Sequence, residues 1–426
     1  MQGNARTHGL WEATAQPGPP AARLRGMADS EVVIIGAGYT GLSTALHLGE
    51  AGIGATVIEA VDIGFGGSGR NVGFVNAGVW VQPDRVSAAL GPYHGERLLQ
   101  TLGEAPNHVF DLIEKYGIEC EAERPGTLHC AVGRAGLRDI TERAAQWQSR
   151  GVPVVLLDGA QTAAKVGSAF FAGALLDPRA GTLQPLSYAR GLARAAAARG
   201  ARIFTGEPVV DARETSSGWI LSTPSGSITC KWVVVATDAY ATNVWPAIRL
   251  QQIHLPYFNV ATAPLAERWR RSVLPERHGI WDTRQVLSSA RLDRQGRLVF
   301  GSVGALEGSA LHAHRAWARR AIRRIFPQVG DVDFESEWYG RIGMTDNSMP
   351  RFHKLAAHVV AVSGYNGRGI APGTVFGRLL AGYVEGTVTD EDLPLPATDP
   401  VEPRLRRLRE IAYEVGSQIV HTLDAR

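Results

Sequence analysis

The residues best suited to chemistry form a glycine-rich turn, GAGYTG at 36–41, followed by an acidic residue, Glu59. At this spacing Gly36 makes the turn, Gly38 lets a phosphate approach the main chain, and Gly41 allows a helix to pack closely on a strand. Glu59 stands where a carboxylate accepts hydrogen bonds from an adenosine ribose, and its charge disfavours a 2′-phosphate there. The pattern predicts a dinucleotide site, without separating FAD from NAD.

Such a turn needs a strand before it and a helix after it, and the flanking sequence supplies both. The run EVVII at 31–35 predicts a strand, the residues up to about Glu50 predict a helix, and Ala55–Ile58 predicts a second strand. The helix would present its free N–H groups and the positive end of its dipole to the phosphates. The chain is therefore predicted to open with a βαβ unit.

Downstream segments predict both parallel and antiparallel strands. We expect a helix at 185–199, a strand at 201–204, hairpin turns at 216–218 and 224–226, and a buried strand at 232–236. Alternating apolar residues between 251 and 304 predict an antiparallel sheet with a turn at 293–297, and helices are expected at about 310–325 and after the glycine-rich turn at 364–369. The amphipathic segment 403–420 is predicted to pack on the outside of the protein rather than in a membrane.

Composition limits the classes of protein. With 426 residues, 45% of them hydrophobic, the chain can form two or three globular units, and a net charge of +3 gives no reason to expect a nucleic-acid partner. Three cysteines without CxxC spacing, Cys120, Cys130 and Cys230, predict neither a zinc site nor a disulfide framework. No apolar run of ~18 residues occurs, and residues 1–26 lack the apolar core of a signal peptide. We expect a soluble cytoplasmic protein without an integral membrane segment.

Several longer blocks carry a resemblance to a known family. They are GFGGSGRNVGF at 64–74, the run from GTLQPLSY to FTGEPV at 181–209, VVVATDAY at 233–240, GRIGMTDNSMPRF at 340–352 and VSGYNGRGIAPGTVFG at 362–377. In this order and spacing the chain resembles the D-amino-acid oxidase superfamily of flavoproteins, which includes glycine oxidase, sarcosine oxidase and γ-glutamylputrescine oxidase.

The resemblance implies an α/β fold, in which a Rossmann-like FAD-binding domain is joined to a discontinuous antiparallel-sheet substrate domain of α+β type. The domains it implies are an N-terminal arm at 1–27, an FAD domain from 28–90, 150–245 and 336–392, a substrate domain from 91–149 and 246–335, and a C-terminal helix at 393–426.

The resemblance also assigns residues to the cofactor. A loop containing Ser68, Arg70 and Asn71 would lie along the flavin, and the main chain of Val209 would meet the adenine. A turn would aim a helix N-terminus at the flavin C2 carbonyl, where reduction adds negative charge; its residues are Gly367, Gly369 and Ile370. Segment 339–345 has no cysteine at the place where sarcosine oxidases attach the flavin, so we expect non-covalent FAD. Asp238 replaces a common glycine and is expected to point away from the pyrophosphate.

The implied reaction is oxidation of a C–N bond in a small amino acid or amine, with hydride transfer to flavin N5 and hydrolysis of the resulting imine. By resemblance to glycine oxidase, Arg341 would hold a substrate carboxylate, because arginine can bind it through two parallel hydrogen bonds. Tyr257 would donate a second hydrogen bond, and Arg368 would lie beside the flavin. Arg341 could instead be a surface or inter-domain residue, and Tyr257 a core residue.

Two departures from the family bear on substrate and acceptor. Ala371 stands where sarcosine oxidases carry a substrate-binding lysine, which argues against sarcosine. No lysine occurs between Lys231 and Lys354, although some relatives use one to help O2 accept electrons. O2, giving H2O2, and another electron acceptor therefore both stay open, as does a 2-hydroxy acid substrate. An NAD-dependent dehydrogenase would leave the later blocks, at 181–240 and 362–377, without a role. A non-catalytic flavin-binding protein would leave Arg341 without a role.

Overall fold

Strands and helices alternate through residues 8–241, 244–308 and 310–424, which the computed structural model of the protein describes. The strands are β1 (Gly26–Ile35), β2 (Ala55–Ile58), β3 (Phe74–Val75), β4 (Thr127–Ala131), β5 (Val155–Leu157), β6 (Gly173–Asp177), β7 (Gly181–Thr182), β8 (Arg202–Phe204), β9 (Asp211–Thr215), β10 (Gly218–Thr223), β11 (Gly226–Val235), β12 (Ile253–Pro264), β13 (Gly279–Asp282), β14 (Ser288–Leu292), β15 (Arg297–Val303), β16 (Phe334–Met344), β17 (Arg351–Ala356) and β18 (Val359–Ser363). The helices are α1 (Leu10–Thr14), α2 (Tyr39–Glu50), α3 (Pro83–Lys115), α4 (Gly133–Gln148), α5 (Gly159–Val166), α6 (Pro185–Ala198), α7 (Pro246–Leu250), α8 (Glu267–Arg270), α9 (Ala310–Ile325), α10 (Ile370–Glu385) and α11 (Arg406–Leu423).

The first sheet has the strand order β17-β18-β11-β1-β2-β8. β1 pairs in parallel with both β2 and β11, so that Ile35 lies opposite Ile58 on one side and Val235 on the other. The apolar end of β1 is buried, as expected for a central strand covered on both faces. The predicted βαβ unit is confirmed, and the carboxyl ends of these three strands lie at one edge.

Helices α2 and α10 pack against each other above that edge. A Cβ on Gly377 would lie 2.5 Å from the Cβ of Ser43, so only glycine allows this approach. The Ser43 hydroxyl donates a hydrogen bond of 2.6 Å to the main-chain oxygen of Thr374. Because the two helices are held together in this way, their N-termini lie near the same edge of the first sheet.

The second sheet has the order β16-β12-β15-β14-β13-β4-β6-β5. Strands β12, β14 and β15 are antiparallel neighbours, which confirms the sheet predicted from the alternation between 251 and 304. Its predicted turn is present, because the N–H groups of Gly296 and Arg297 bond to the oxygens of Asp293. The hairpin turns predicted at 216–218 and 224–226 join β9, β10 and β11 in the first sheet.

The domain division stays a prediction, but sheet membership differs from it at two boundaries. Strand β16 pairs with β12 in the second sheet, although the FAD domain was predicted to resume at residue 336. We expected the FAD domain to resume at residue 150. Strands β5 and β6 instead belong to the second sheet, because β6 pairs with β4 along its whole length. These two strands have only three and five residues, too few for an alternation of apolar and polar residues to indicate them. On pairing alone, the boundary falls after Asp177.

The C-terminal helix α11 lies against α9 and β12, as expected for a helix on the outside of the protein. Among the described residues, no helix combines the length and the apolar character needed to cross a membrane.

Candidate active site

A cavity of about 550 Å³ lies between the two sheets. The first sheet contributes the ends of β1 and β2, and the second contributes β12, β15 and β16. Of the residues predicted to form the site, those that line the cavity are Gly36, Gly38, Glu59, Ser68, Arg70, Asn71, Val209, Tyr257, Arg341, Arg368, Gly367, Gly369 and Ile370. Gly41 does not line it.

The glycines of the first turn are required by close main-chain approaches. Gly36 has φ +107°, and a Cβ there would lie 2.8 Å from the main-chain oxygen of Ala236. A Cβ on Gly41 would overlap the main-chain oxygen of Gly36. Gly41 therefore packs α2 on β1 from outside the cavity, the role that its spacing predicted.

Glu59 closes the turn through its carboxylate. One oxygen accepts a hydrogen bond of 2.8 Å from the N–H of Ala37, and the other accepts one of 2.9 Å from the N–H of Val61. Burial raises the pKa of Glu59, while these N–H groups act in the opposite direction. The carboxylate lines the cavity, and its contact with a ribose stays a prediction.

The loop at 64–74 is fixed by its own polar side chains. Ser68 Oγ accepts from the N–H of Tyr39 at 3.1 Å. The Asn71 amide donates to the main-chain oxygen of Gly67 at 2.9 Å and accepts from the N–H of Gly73 at 2.8 Å. The loop is thus attached to the N-terminus of α2.

The same loop is bonded to the second sheet and to the N-terminal arm. The main-chain oxygen of Arg70 accepts hydrogen bonds from the side chains of Asn259 at 3.1 Å and Trp338 at 3.0 Å. The indole of Trp11, in α1, donates to the main-chain oxygen of Asn71 at 2.9 Å. Sequence reasoning missed these three side chains, because their partners are main-chain atoms that leave no pattern in the sequence.

Two helix N-termini open onto the cavity without a side-chain cap. The N-cap residues are Gly38 of α2 and Gly369 of α10, and neither can supply a capping oxygen. The Tyr39 N–H of α2 is bonded to Ser68 Oγ, but the positive dipole ends of both helices favour anionic or electron-rich groups. A pyrophosphate and a reduced flavin ring are groups of these kinds, so the cavity fits the cofactor that the sequence predicted.

Asp238 contributes to the cavity wall, but its carboxylate is already bonded. It accepts hydrogen bonds from the N–H of Gly364 at 2.7 Å and from the amide of Gln252 at 3.1 Å. Burial raises its pKa to about 6. The residue has φ +42°, which explains why glycine is common at this position in the family it resembles. Asp238 ties the turn before α10 to the end of β11.

Arg341 and Tyr257 lie on neighbouring strands of the second sheet. The N–H of Arg341 donates to the hydroxyl of Tyr240 at 2.9 Å, while its side chain is exposed. Within the described ranges, no carboxylate lies within ion-pair distance of its guanidinium. The Tyr257 hydroxyl is 2.7 Å from Ser289 Oγ, and burial raises the pKa of Tyr257.

Arg368 is a half-buried cation in an aromatic wall. Its guanidinium lies 5.7 Å from the ring of Trp80 and 5.6 Å from the ring of Trp281, and Nη1 donates to the main-chain oxygen of Ala77 at 2.6 Å. Nε is buried and has no hydrogen-bond partner among the described atoms. Burial lowers the pKa of Arg368 to about 9, and the nearby charge of Arg143 acts in the same direction.

The neighbours of Arg368 could not be found from the sequence. Trp80, Arg143 and Trp281 come from three distant segments, and each is an ordinary residue in its local context. Across the part of the chain that the structure describes, no acidic residue forms an ion pair with Arg368, so the site holds a positive charge that an anion can neutralise.

Comparison with known proteins decides the family. A family model described as DAO, FAD dependent oxidoreductase, matches residues 31–383. γ-Glutamylputrescine oxidoreductase of Escherichia coli (strain K12) is 30% identical over 384 residues, covering 89% of this chain and 89% of that protein. The chain belongs to the DAO family. The probable oxidoreductase OrdL of Rhizobium meliloti (strain 1021) is 29% identical over 401 residues, covering 94% of this chain and 93% of that protein.

A solved structure supports the fold of this DAO-family protein. The crystal structure of glycine oxidase from Geobacillus kaustophilus superposes with a TM-score of 0.71 at 21% identity, covering 87% of this chain and 99% of that one. The predicted fold class and family are therefore confirmed. The protein is an oxidoreductase, and its cofactor is FAD.

Proposed function

We propose that this enzyme oxidises the C–N bond of a small amino acid or amine, with O2 as the electron acceptor. A bound flavin would accept the hydride that leaves the carbon next to the nitrogen. The imine would then hydrolyse to a carbonyl compound and a free amine. The observation that carries the proposal is a cavity onto which two helix N-termini open and which is also lined by Arg341 and Arg368, for which no carboxylate partner occurs among the described residues.

The arginines favour a substrate with a carboxylate. Arg368 is half-buried beside two indoles with its Nε enclosed, and a cation withdrawn from water in this way is stabilised by an anion that neutralises it. Arg341 is exposed at another part of the wall and can hold the same or a second anionic group. The E. coli relative is named for γ-glutamylputrescine and the G. kaustophilus structure for glycine, which supports a substrate with an amine nitrogen.

The lining residues also favour orientation over proton abstraction. The carboxylates on the described wall, Glu59 and Asp238, accept hydrogen bonds from main-chain N–H groups, and no histidine or lysine lines the described cavity. The protein would therefore bind the neutral amine, hold its carboxylate and exclude water, while the amine lone pair assists the departing hydride.

The choice of electron acceptor depends on which cation could assist O2. The lysines Lys115, Lys165 and Lys354 form ion pairs with carboxylates away from the cavity, so an arginine would have to assist O2. Of the arginines that line the cavity, Arg368 lies beside two indole rings, and it is the residue we assign to that role. An enzyme that uses another acceptor is the second candidate.

Anaerobic mixing tests the proposal. Purified protein is mixed with a panel of amino acids, amines and 2-hydroxy acids while flavin absorbance is followed. We expect bleaching by an amino acid or amine, and release of H2O2 when O2 is then admitted. Bleaching by 2-hydroxy acids alone would overturn the C–N assignment. Bleaching by an amine without reoxidation by O2 would favour the dehydrogenase.

A further inference from the structure

The C-terminal helix α11 packs on the protein with its polar face and turns its apolar face outward. The packed face carries Arg406, Ser417 and His421, all buried. The opposite face carries a row of exposed aliphatic side chains, which we name the α11 seam: Leu408 (61% exposed), Ile411 (56%), Val415 (47%), Ile419 (51%) and Leu423 (69%).

Specific polar contacts fix the packed face against the protein, and they therefore define the orientation of α11. Glu410 accepts from the main-chain N–H of His254 at 3.0 Å and from the guanidinium of Arg406 at 2.9 Å. His421 Nδ1 lies 2.7 Å from His314 Nδ1, and its ring stacks on Trp317 with centroids 3.8 Å apart. Rotating the helix to bury the seam would break the contacts that Glu410 and His421 make with other parts of the chain.

The seam is symmetric about Val415. Ile411 and Ile419 lie four residues to either side, and Leu408 and Leu423 lie seven and eight residues away. When two such helices pack antiparallel about a twofold axis at Val415, that valine meets its own copy, and each Ile411 meets an Ile419. A row with this symmetry is complementary to itself.

Gly416 gives a second, independent indication. It lies within an 18-residue helix, where glycine is less favourable than alanine by about 1 kcal/mol, and a Cβ there would meet nothing within 4 Å in the described chain. Together with Ala412 on the same side of the helix, it leaves room for the main chain of another helix to approach closely.

The charges of α11 also suit an antiparallel partner. Its first turn carries Arg407 and Arg409 and no acidic residue, so these cations oppose the positive dipole end of their own helix. In an antiparallel pair they would lie beside the negative end of the partner helix.

We propose that the α11 seam is the contact surface for a second copy of this chain, paired about a twofold axis at Val415. A lipid surface is the less favoured occupant, because Glu414 borders the seam and the single aromatic residue of the helix, Tyr413, lines the active-site cavity instead. A contact made by one helix from each chain is at the small end of stable interfaces, so we expect the dimer to dissociate on dilution.

Cysteine cross-linking tests the axis in the intact flavoprotein. The three native cysteines are buried, so an introduced surface thiol is the accessible one. Under mild oxidation we expect Val415→Cys to form a disulfide-linked dimer, because the two copies meet at this position. Val155→Cys is the matched control, since Val155 is a strand residue of similar exposure (45%) away from α11, and it should form no disulfide-linked dimer.

Sedimentation velocity over a range of concentrations tests the association itself. We expect wild type and Val155→Glu to dimerise alike, and Val415→Glu and Gly416→Gln to stay monomeric with unchanged flavin content. Gly416→Gln keeps the test valid should Val415→Glu fold poorly, because glutamine is a better helix former than glycine. A monomeric wild type, or a dimer that both variants leave intact, would overturn the proposal. Binding to anionic phospholipid vesicles that Val415→Glu abolishes would assign the seam to a membrane surface instead.

Discussion

Arg368 Nη1 donates a 2.6 Å hydrogen bond to the main-chain oxygen of Ala77, an uncharged acceptor, in the wall of the active-site cavity. A neutral carbonyl satisfies one donor and leaves the charge of the guanidinium uncompensated. On the proposed function, we therefore expect Arg368 to interact with an anionic substrate group.

Replacing Arg368 by methionine should therefore impair the oxidation of carboxylate substrates selectively. Losing one partner of a desolvated charge pair costs about 2 to 5 kcal/mol. At ~1.4 kcal/mol per factor of ten, kcat/KM should fall about 30-fold to several thousand-fold. Steady-state kinetics with the acid and its amide provide the measurement, and Arg368→Lys should recover only part of the loss. Equal losses for the acid and the amide would mean that Arg368 does not recognise the carboxylate.

Arg341→Ala should have a small effect on the oxidation of carboxylate substrates. A large loss would require a desolvated ion pair, whereas this side chain is exposed. Exposed ion pairs contribute about 0 to 1 kcal/mol, so kcat/KM for the acid should fall by no more than about fivefold. The flavin content should stay that of wild type. A loss of 30-fold or more in the same assay would show that bound substrate buries Arg341, and would return the carboxylate site to it.

Gly41→Ala should reduce FAD content and stability together. The added Cβ would overlap the Gly36 carbonyl, and forcing extra atoms into a packed site costs about 1 to 3 kcal/mol. The measurements are the flavin-to-protein absorbance ratio and the midpoint of urea denaturation. Gly54→Ala is the matched control, because a Cβ at Gly54 meets nothing within 4 Å, and it should behave as wild type. A Gly41→Ala protein with full FAD content would contradict the packing role.

Asp238 should make stability depend on pH. Because burial raises the pKa of its carboxyl from the usual 3.8 to about 6, the folded state disfavours the ionised form. The stability that this residue contributes is fully present below about pH 4 and is lost as the pH rises through about 6.

Asp238→Asn should remove this dependence, because asparagine keeps the accepting oxygen and tolerates a positive φ. Relative to wild type, the variant should gain about 1.4 kcal/mol of stability between pH 5 and pH 8, roughly half of the ~3 kcal/mol that the whole shift represents. Urea denaturation of both proteins at the two pH values gives this difference and cancels the other titrating groups. A difference that does not change with pH would mean that Asp238 is ionised throughout.

Heat or acid precipitation should release all the flavin as FAD, because segment 339–345 contains no cysteine to hold it. Chromatography of the supernatant and absorbance of the redissolved chain measure the two fractions. Flavin that stays with the denatured protein would contradict non-covalent binding.

The parts of the fold that the sequence predicted well are those whose determinants lie close together in the chain. Gly36, Gly41 and Glu59 fall within one βαβ unit, so their spacing alone reports their geometry. The wall around Arg368 could not be predicted, because Trp80 and Trp281 meet only after the second sheet has formed. The position of α11 on the outside of the protein was expected, but its orientation could not be predicted. An amphipathic pattern shows that one face is apolar, and it does not say which face packs on the protein.

The hydrogen bond from the Trp11 indole to the Asn71 carbonyl joins the first turn of α1 to the loop that is predicted to lie along the flavin. A start codon assigned just ahead of the glycine-rich turn would remove the arm, and so would proteolysis during purification. In both cases the glycine-rich turn and the later family motifs would remain. The product would still be recognised as a flavoprotein by sequence. It would lack the hydrogen bond from Trp11 to the loop at 64–74. A low flavin content in such a preparation would then reflect the loss of this tryptophan rather than the absence of an enzyme activity.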